Sequence, residues 1–242
     1  MYTGIELKTP LFEVGLKAYL YGDRALALAK AADRISRQYD VTIIFTPQYV
    51  DIPRIVQETK HLLVFAQHVD PVEIGRGNGS VLPEAVKAVG AVGTLLNHAE
   101  RRLSLRDISR AIERADEVGL ATMVCADSPE EGAAIAHLGP NMILAEPPEL
   151  IGTKTSVGKG NNEFIARSVD MIKSVNPKIL VLNSAGIRTG DDVARLIRLG
   201  AEATGATSGI VKARDPVKAL EEMIKALKEA WLERHSGIRG DT

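Results

Sequence analysis

The feature that most constrains the fold is an alternation. Short runs rich in Val, Ile, Leu and Phe recur along the chain, each followed by a stretch with helical spacing. The runs are LFEVGLK (11–17), VTIIFTP (41–47), LLVFAQ (62–67), VGTLLNH (92–98), ATMVCA (121–126), MILAEP (142–147), ILVLNS (179–184) and ATGATSG (203–209). Most are continuously apolar, as parallel strands covered on both faces must be. The eighth is small and polar, and rests on its place in the series. The stretches between carry helix signals. Ser104 opens one whose apolar positions Ile108, Ile112, Ala115 and Val118 share a face, and Gly119 closes it. Ser128-Pro129-Glu130-Glu131 combines an N-cap, a first-turn proline and a capping-box glutamate. Asp215-Pro216 opens a last helix with Leu220, Met223, Ile224, Leu227 and Trp231 at 3- and 4-residue steps. Eight βα units without a Pro/Gly-rich linker predict one closed (β/α)8 barrel of the α/β class, with an open doubly wound sheet as the structural alternative.

Length agrees, because 242 residues suit one such barrel. The net charge of -1 points to neither nucleic acid nor an anionic membrane as a partner. The single cysteine, Cys125, lies in an apolar run and reads as a buried thiol; one cysteine makes no internal disulfide, in keeping with a reducing compartment. The opening MYTGIELKTP has no signal-peptide core, and no apolar run is long enough to cross a bilayer. The expectation is a soluble, cytoplasmic protein.

In barrels of this kind the active site is built at the C-terminal ends of the strands. Lys17 ends the first run, Gln67-His68 follow the third, and Asn97-His98 end the fourth. Glu146 lies in the sixth, Asn183-Ser184 end the seventh, and Thr207-Ser208-Gly209 end the eighth. An amine, an imidazole, a carboxylate and several small donors at one mouth suit proton transfer beside a carbonyl on an anionic substrate. Singly, each has a plainer reading: a solvated lysine, a packed histidine, turn serines and glycines. Glu146 is the hardest to dismiss, because a carboxylate between MILA and Pro-Pro is costly to bury without a task. His68 and Asp70 have no third donor at ligand spacing, so no metal is expected.

Several longer stretches carry a resemblance. FAQHVDPVEIG (65–75), VLPEAVKAVGAVGTLLNHAERR (81–102), AEPPELIGT (145–153) and NSAGIRTGDDVARLIRLGAEATGATSGIVKARDP (183–216) resemble the archaeal-type triosephosphate isomerase family, over nearly the whole chain after Leu11. The resemblance implies the TIM-barrel fold and a cofactor-free interconversion of glyceraldehyde 3-phosphate and dihydroxyacetone phosphate. It matches Glu146 to the catalytic base, His98 to a neutral electrophile, Lys17 to the substrate-binding lysine and Glu100 to an acid beside the histidine. It makes 147–153 a closing lid, with Gly152 meeting phosphate, and puts Ser184, Ser208 and Gly209 in the phosphate cradle. It also implies a homodimer or homotetramer, with 68–79 as a shortened form of the family's protruding third loop.

The chain departs from the family pattern in places. Gly15-Leu16-Lys17 stands where the family reads Asn-x-Lys, so water or a reorganised loop must replace the asparagine amide. Asn183-Ser184 replace a Gly-rich loop, and the eighth strand carries Thr204, Gly205 and Thr207. Residues 1–9 form an N-terminal extension and 235–242 a tail without counterpart. Gly15, by enlarging the site near the carbonyl, favours two further readings: a paralogue acting on another short sugar phosphate, such as a tetrulose phosphate, or a barrel that only binds a phosphometabolite. Retention of Lys17, His98 and Glu146 together argues for catalysis. One test is expected to separate a real anion site from turn residues: Gly209→Asp should abolish inhibition by anions while leaving the thermal midpoint nearly unchanged.

Overall fold

A computed structural model of the chain describes residues 1–148, 159–184 and 186–236. The strands β1 (Leu11–Gly15), β2 (Thr42–Thr46), β3 (Leu62–Ala66), β4 (Gly93–Leu96), β5 (Ala121–Ala126), β6 (Met142–Ala145), β7 (Leu180–Asn183) and β8 (Ala203–Ala206) close into an all-parallel barrel in chain order. Between and after them run α1 (Gly22–Tyr39), α2 (Ile52–Glu58), α3 (Pro83–Ala88), α4 (Leu105–Val118), α5 (Pro129–Ala136), α6 (Lys159–Val175), α7 (Gly190–Arg198), the one-turn α8 (Ser208–Val211) and α9 (Pro216–His235). The open doubly wound sheet is excluded, since β8 pairs back onto β1. No described helix is long and apolar enough to cross a membrane.

Most strands stop before the polar ends of the apolar runs, and for local reasons. Lys17 and Asn97 have φ of 46° and 58°, left-handed backbone that cannot continue a ladder. Pro147 has no N–H to offer a neighbouring strand. The residues expected at the site therefore sit on the first turn after each strand. They are held by the barrel, not built into it.

Two apolar layers hold the barrel. The larger lies between strands and helices and includes Phe12, Phe45, Ile108, Ile112, Leu220 and Leu227. The smaller fills the interior with Leu11, Ile44, Phe65, Met123, Cys125, Met142 and Leu182. Residues 1–9 are more than an extension, because Tyr2, Ile5 and Leu7 pack against this interior layer at the N-terminal end of the barrel. Asn141 Nδ2 donates to the Tyr2 carbonyl at 2.6 Å, and the terminal amine reaches Asp116 at 2.5 Å.

The helix punctuation follows the sequence signals. Ser104 accepts from the Asp107 N–H, and Gly119 closes α4 at φ 80°. Thr189 and Asp192 form a full capping box on α7, and Asp215 caps α9. Helix α5 differs. Ser128 accepts from the Glu131 N–H as expected, but the Glu131 carboxylate bypasses the capping residue and accepts from the Asp127 N–H at 2.6 Å. It also takes Asn97 Nδ2 at 3.3 Å and pairs with Arg102, which ties α5 to the loop after β4.

The poor eighth strand has a physical reason. Gly205 lies opposite Glu13 of β1, and a Cβ on Gly205 would stand 2.9 Å from the Glu13 Cβ and from its Oε2. A large apolar residue cannot occupy that position while Glu13 points inward.

Candidate active site

One cavity of about 300 Å³ opens at the C-terminal mouth of the barrel. Lys17, His98, Glu100, Glu146, Ser184 and Ser208 all line it, brought together from the ends of five strands. Gly152 lies outside the described residues.

Lys17 follows β1 in left-handed backbone, a conformation that costs a non-glycine residue free energy unless its surroundings fix it. Two glutamines do so. Gln48 Nε2 and Gln67 Nε2 donate to the Lys17 carbonyl at 2.6 and 2.8 Å. Its ammonium meets Glu100 Oε1 at 3.0 Å.

His98 is held from the opposite side. Asn97, also left-handed and buried, donates from Nδ2 to the Cys125 carbonyl at 2.9 Å and accepts the Leu103 N–H on Oδ1 at 2.9 Å, which fixes the turn. The Glu100 N–H donates to His98 Nδ1 at 3.1 Å. An Nδ1 that accepts leaves the proton on Nε2, so the ring presents a donor while uncharged. Burial, then the nearby Lys17 charge, push its pKa down to about 4 against a smaller opposing pull from Glu100. The imidazole is therefore neutral throughout the physiological range.

Glu146 follows β6, where its N–H donates to the Ala126 carbonyl at 2.9 Å. Ser184 Oγ donates to its Oε1 at 3.2 Å. Burial raises its pKa, while Lys17 and the Ser184 hydroxyl counter the rise and Asp127 and Glu100 add to it. A desolvated carboxylate with few donors is a stronger base than one in water, which is what removal of a carbon-bound proton requires.

Ser208 begins α8, and the first N–H groups of a helix have no partner inside it. With Ser184 at the end of the neighbouring β7 they give a surface of small residues whose helix-end N–H groups suit an anion, the Ser184 hydroxyl itself being given to Glu146. Gly209 sits behind that surface. A Cβ there would lie 2.8 Å from the Ile187 carbonyl oxygen and 3.0 Å from Arg188 Cα, both backbone atoms. Its smallness lets two loops touch, so the expectation of an unchanged thermal midpoint is corrected. Gly209→Asp is expected to cost about 1–3 kcal/mol by overpacking, read as a lowered midpoint in a thermal melt. A midpoint equal to wild type would contradict the contact.

The room at Gly15 is not open either. A Cβ there would stand 2.6 Å from Thr207 Oγ1 and 3.0 Å from Glu13 Oε1. The Thr207 hydroxyl and the Glu13 carboxylate occupy the space that a side chain at position 15 would take. Glu13 itself lines the cavity and was not singled out from sequence. Its signal was a lone carboxylate inside the apolar run LFEVG. Gln48 was likewise missed, as a polar residue in a loop. His68 and Asp70 bond each other at 3.0 Å, and Asp70 reaches Arg101 at 3.2 Å, tying the loop after β3 to the loop after β4. Among the described residues no three His, Cys, Asp or Glu side chains cluster as metal ligands.

Comparison with known proteins points to one family. The triosephosphate isomerase family model matches residues 14–227. The chain is 44% identical over 222 residues to the triosephosphate isomerase of Methanobacterium bryantii, covering 91% of this chain and 98% of that protein. It is 41% identical over 226 residues to that of Saccharolobus solfataricus, covering 93% and 99%.

Proposed function

Because the chain belongs to the triosephosphate isomerase family, we propose that it interconverts dihydroxyacetone phosphate and glyceraldehyde 3-phosphate through an enediolate. The observation that carries this reading is the meeting of Glu146, His98 and Lys17 in one cavity, with the base desolvated and the imidazole neutral. Glu146 takes the proton from C1 of dihydroxyacetone phosphate. The C–H electron pair becomes the C1=C2 bond, and charge moves to the C2 oxygen. His98 Nε2–H and the Lys17 ammonium meet that oxygen. A proton passes from the C1 hydroxyl to the C2 oxygen by way of His98 Nε2, Glu146 returns its own proton to C2, and C1 becomes the aldehyde. No electron leaves the substrate, so the reaction needs no cofactor.

Glu100 has two tasks in this scheme: its carboxylate steadies the Lys17 ammonium, and its N–H fixes the His98 tautomer. Ser184, Ser208 and the backbone at Gly209 hold the phosphate, with Gly152 closing over it. Residues 1–242 act as one domain in the cytoplasm. Assembly as a homodimer or homotetramer is part of the same proposal. The filled room at Gly15 speaks against a larger tetrulose phosphate.

The experiment is a coupled assay of purified protein with each triose phosphate and with erythrulose phosphate, in the presence of a chelator. Triose turnover is expected, with four-carbon turnover far slower. Turnover of the four-carbon sugar alone would overturn the substrate, and turnover of neither would overturn the isomerase.

A further inference from the structure

The site holds a second buried carboxylate that proton transfer by Glu146 leaves without a task. Glu13 points inward from β1, is 7% exposed, and lines the same cavity as Lys17, His98 and Glu146. Its Oε1 accepts from Thr46 Oγ1 at 2.6 Å. Two glycines make its room: a Cβ at Gly15 would lie 3.0 and 3.4 Å from its two carboxyl oxygens, and a Cβ at Gly205 would lie 2.9 Å from Oε2. A carboxyl group this deep is costly, and one neutral hydroxyl offsets little of that cost. We propose that Glu13 is a substrate-contacting residue of this isomerase, whose carboxyl donates a hydrogen bond to an oxygen at the reacting end of the triose phosphate.

The inference rests on the isomerase reading. Charge decides the form in which Glu13 works. The ionisable groups facing it are Lys17 beyond its own strand, Glu146 after β6 and Cys125 on β5, whereas Thr46 on β2 and Gly205 and Thr207 at β8 carry no charge. Lys17 is already paired with Glu100. With Glu146 ionised as base and an enediolate forming, a further anion in a dry cavity is disfavoured. The working form is the neutral acid, with Oε1 accepting from Thr46 and the proton on the other oxygen free to be donated. Burial acts in the same direction, pushing Glu13 up to about 7. Activity is therefore expected to decline as pH rises through that value and Glu13 loses its proton.

The test uses Glu13→Gln, whose amide donates at every pH, and Glu13→Met, which fills the room without a donor. Affinities for inorganic phosphate and for glycerol 3-phosphate are measured by calorimetry, and kcat/KM for triose phosphate from pH 6 to 9. For Glu13→Met, phosphate affinity should match wild type, while glycerol 3-phosphate affinity and kcat/KM fall about tenfold or more, the scale of one lost hydrogen bond to a buried group. Glu13→Gln should keep most activity and lose the decline above pH 7. If the Met variant fails to fold, the Gln profile decides. A Met variant within twofold of wild type in both glycerol phosphate binding and turnover, or a Gln variant that keeps the alkaline decline, overturns the proposal. Wild-type protein that binds glycerol 3-phosphate but turns over no triose phosphate overturns the isomerase reading alone, and the binding arm still judges Glu13.

Discussion

Glu146→Gln is expected to lower kcat for triose phosphate by about 10²–10⁴-fold, the usual contribution of a positioned general base, with a larger loss consistent with its desolvation. The amide is nearly the same size, its oxygen can still accept from Ser184 Oγ, and the backbone bond from residue 146 to the Ala126 carbonyl is untouched. Folding should survive. The thermal midpoint is expected to stay level or rise, because the change removes a charge that burial disfavours by more than Lys17 and Ser184 offset. KM should change far less than kcat, since proton removal belongs to the transition state and not to phosphate binding. A variant within tenfold of wild type would mean that another group takes the proton.

Stability should carry the second large effect, through Glu13. Its folded pKa is raised to about 7 from an ordinary 4.5, so the folded protein binds a proton that the unfolded chain releases between these values. Stability from this group is therefore full below about 4.5, falls as pH rises through the window, and reaches its floor above about 7. At 1.36 kcal/mol per unit the loss is about 3 kcal/mol. Denaturant unfolding of wild type and Glu13→Gln should show the difference between the two proteins shifting by that amount, in favour of the variant, from pH 4.5 to 8. Other carboxylates titrate alike in both and largely cancel. A constant difference across this range would mean that Glu13 is ionised at little cost in the fold.

These two glutamates also mark what could be read before the fold was in view. Glu146, His98 and Lys17 were legible because each stands at or next to the end of its run, and the strand ends of a closed barrel share one rim. Glu13 was not, because it sits inside a run, where one polar residue reads as an interruption and not as an inward-pointing group. Its traces were indirect: glycine at 15 and a small, polar eighth strand are both consequences of the space it takes. Gln48 was missed, and Gln67 was placed at the rim without a task, for another reason. Their task is to hold the Lys17 carbonyl across loops from three strands, a relation that spacing along one strand cannot express. Gly209 shows the opposite hazard, since smallness suited to a phosphate cradle also serves the contact with Ile187 and Arg188.

The central claim is that Glu146 carries a substrate proton between two carbons. Conversion of glyceraldehyde 3-phosphate in D2O, with the product read by proton NMR, tests it most directly. A carboxyl group that holds the proton can exchange it with solvent before returning it, so wild-type protein should give dihydroxyacetone phosphate carrying deuterium at C1, and Glu146→Gln should give no labelled product above the uncatalysed rate. Turnover that yields wholly unlabelled product would point to direct hydride transfer between the carbons, and labelling by the Glu146→Gln variant at the wild-type rate would place the base elsewhere.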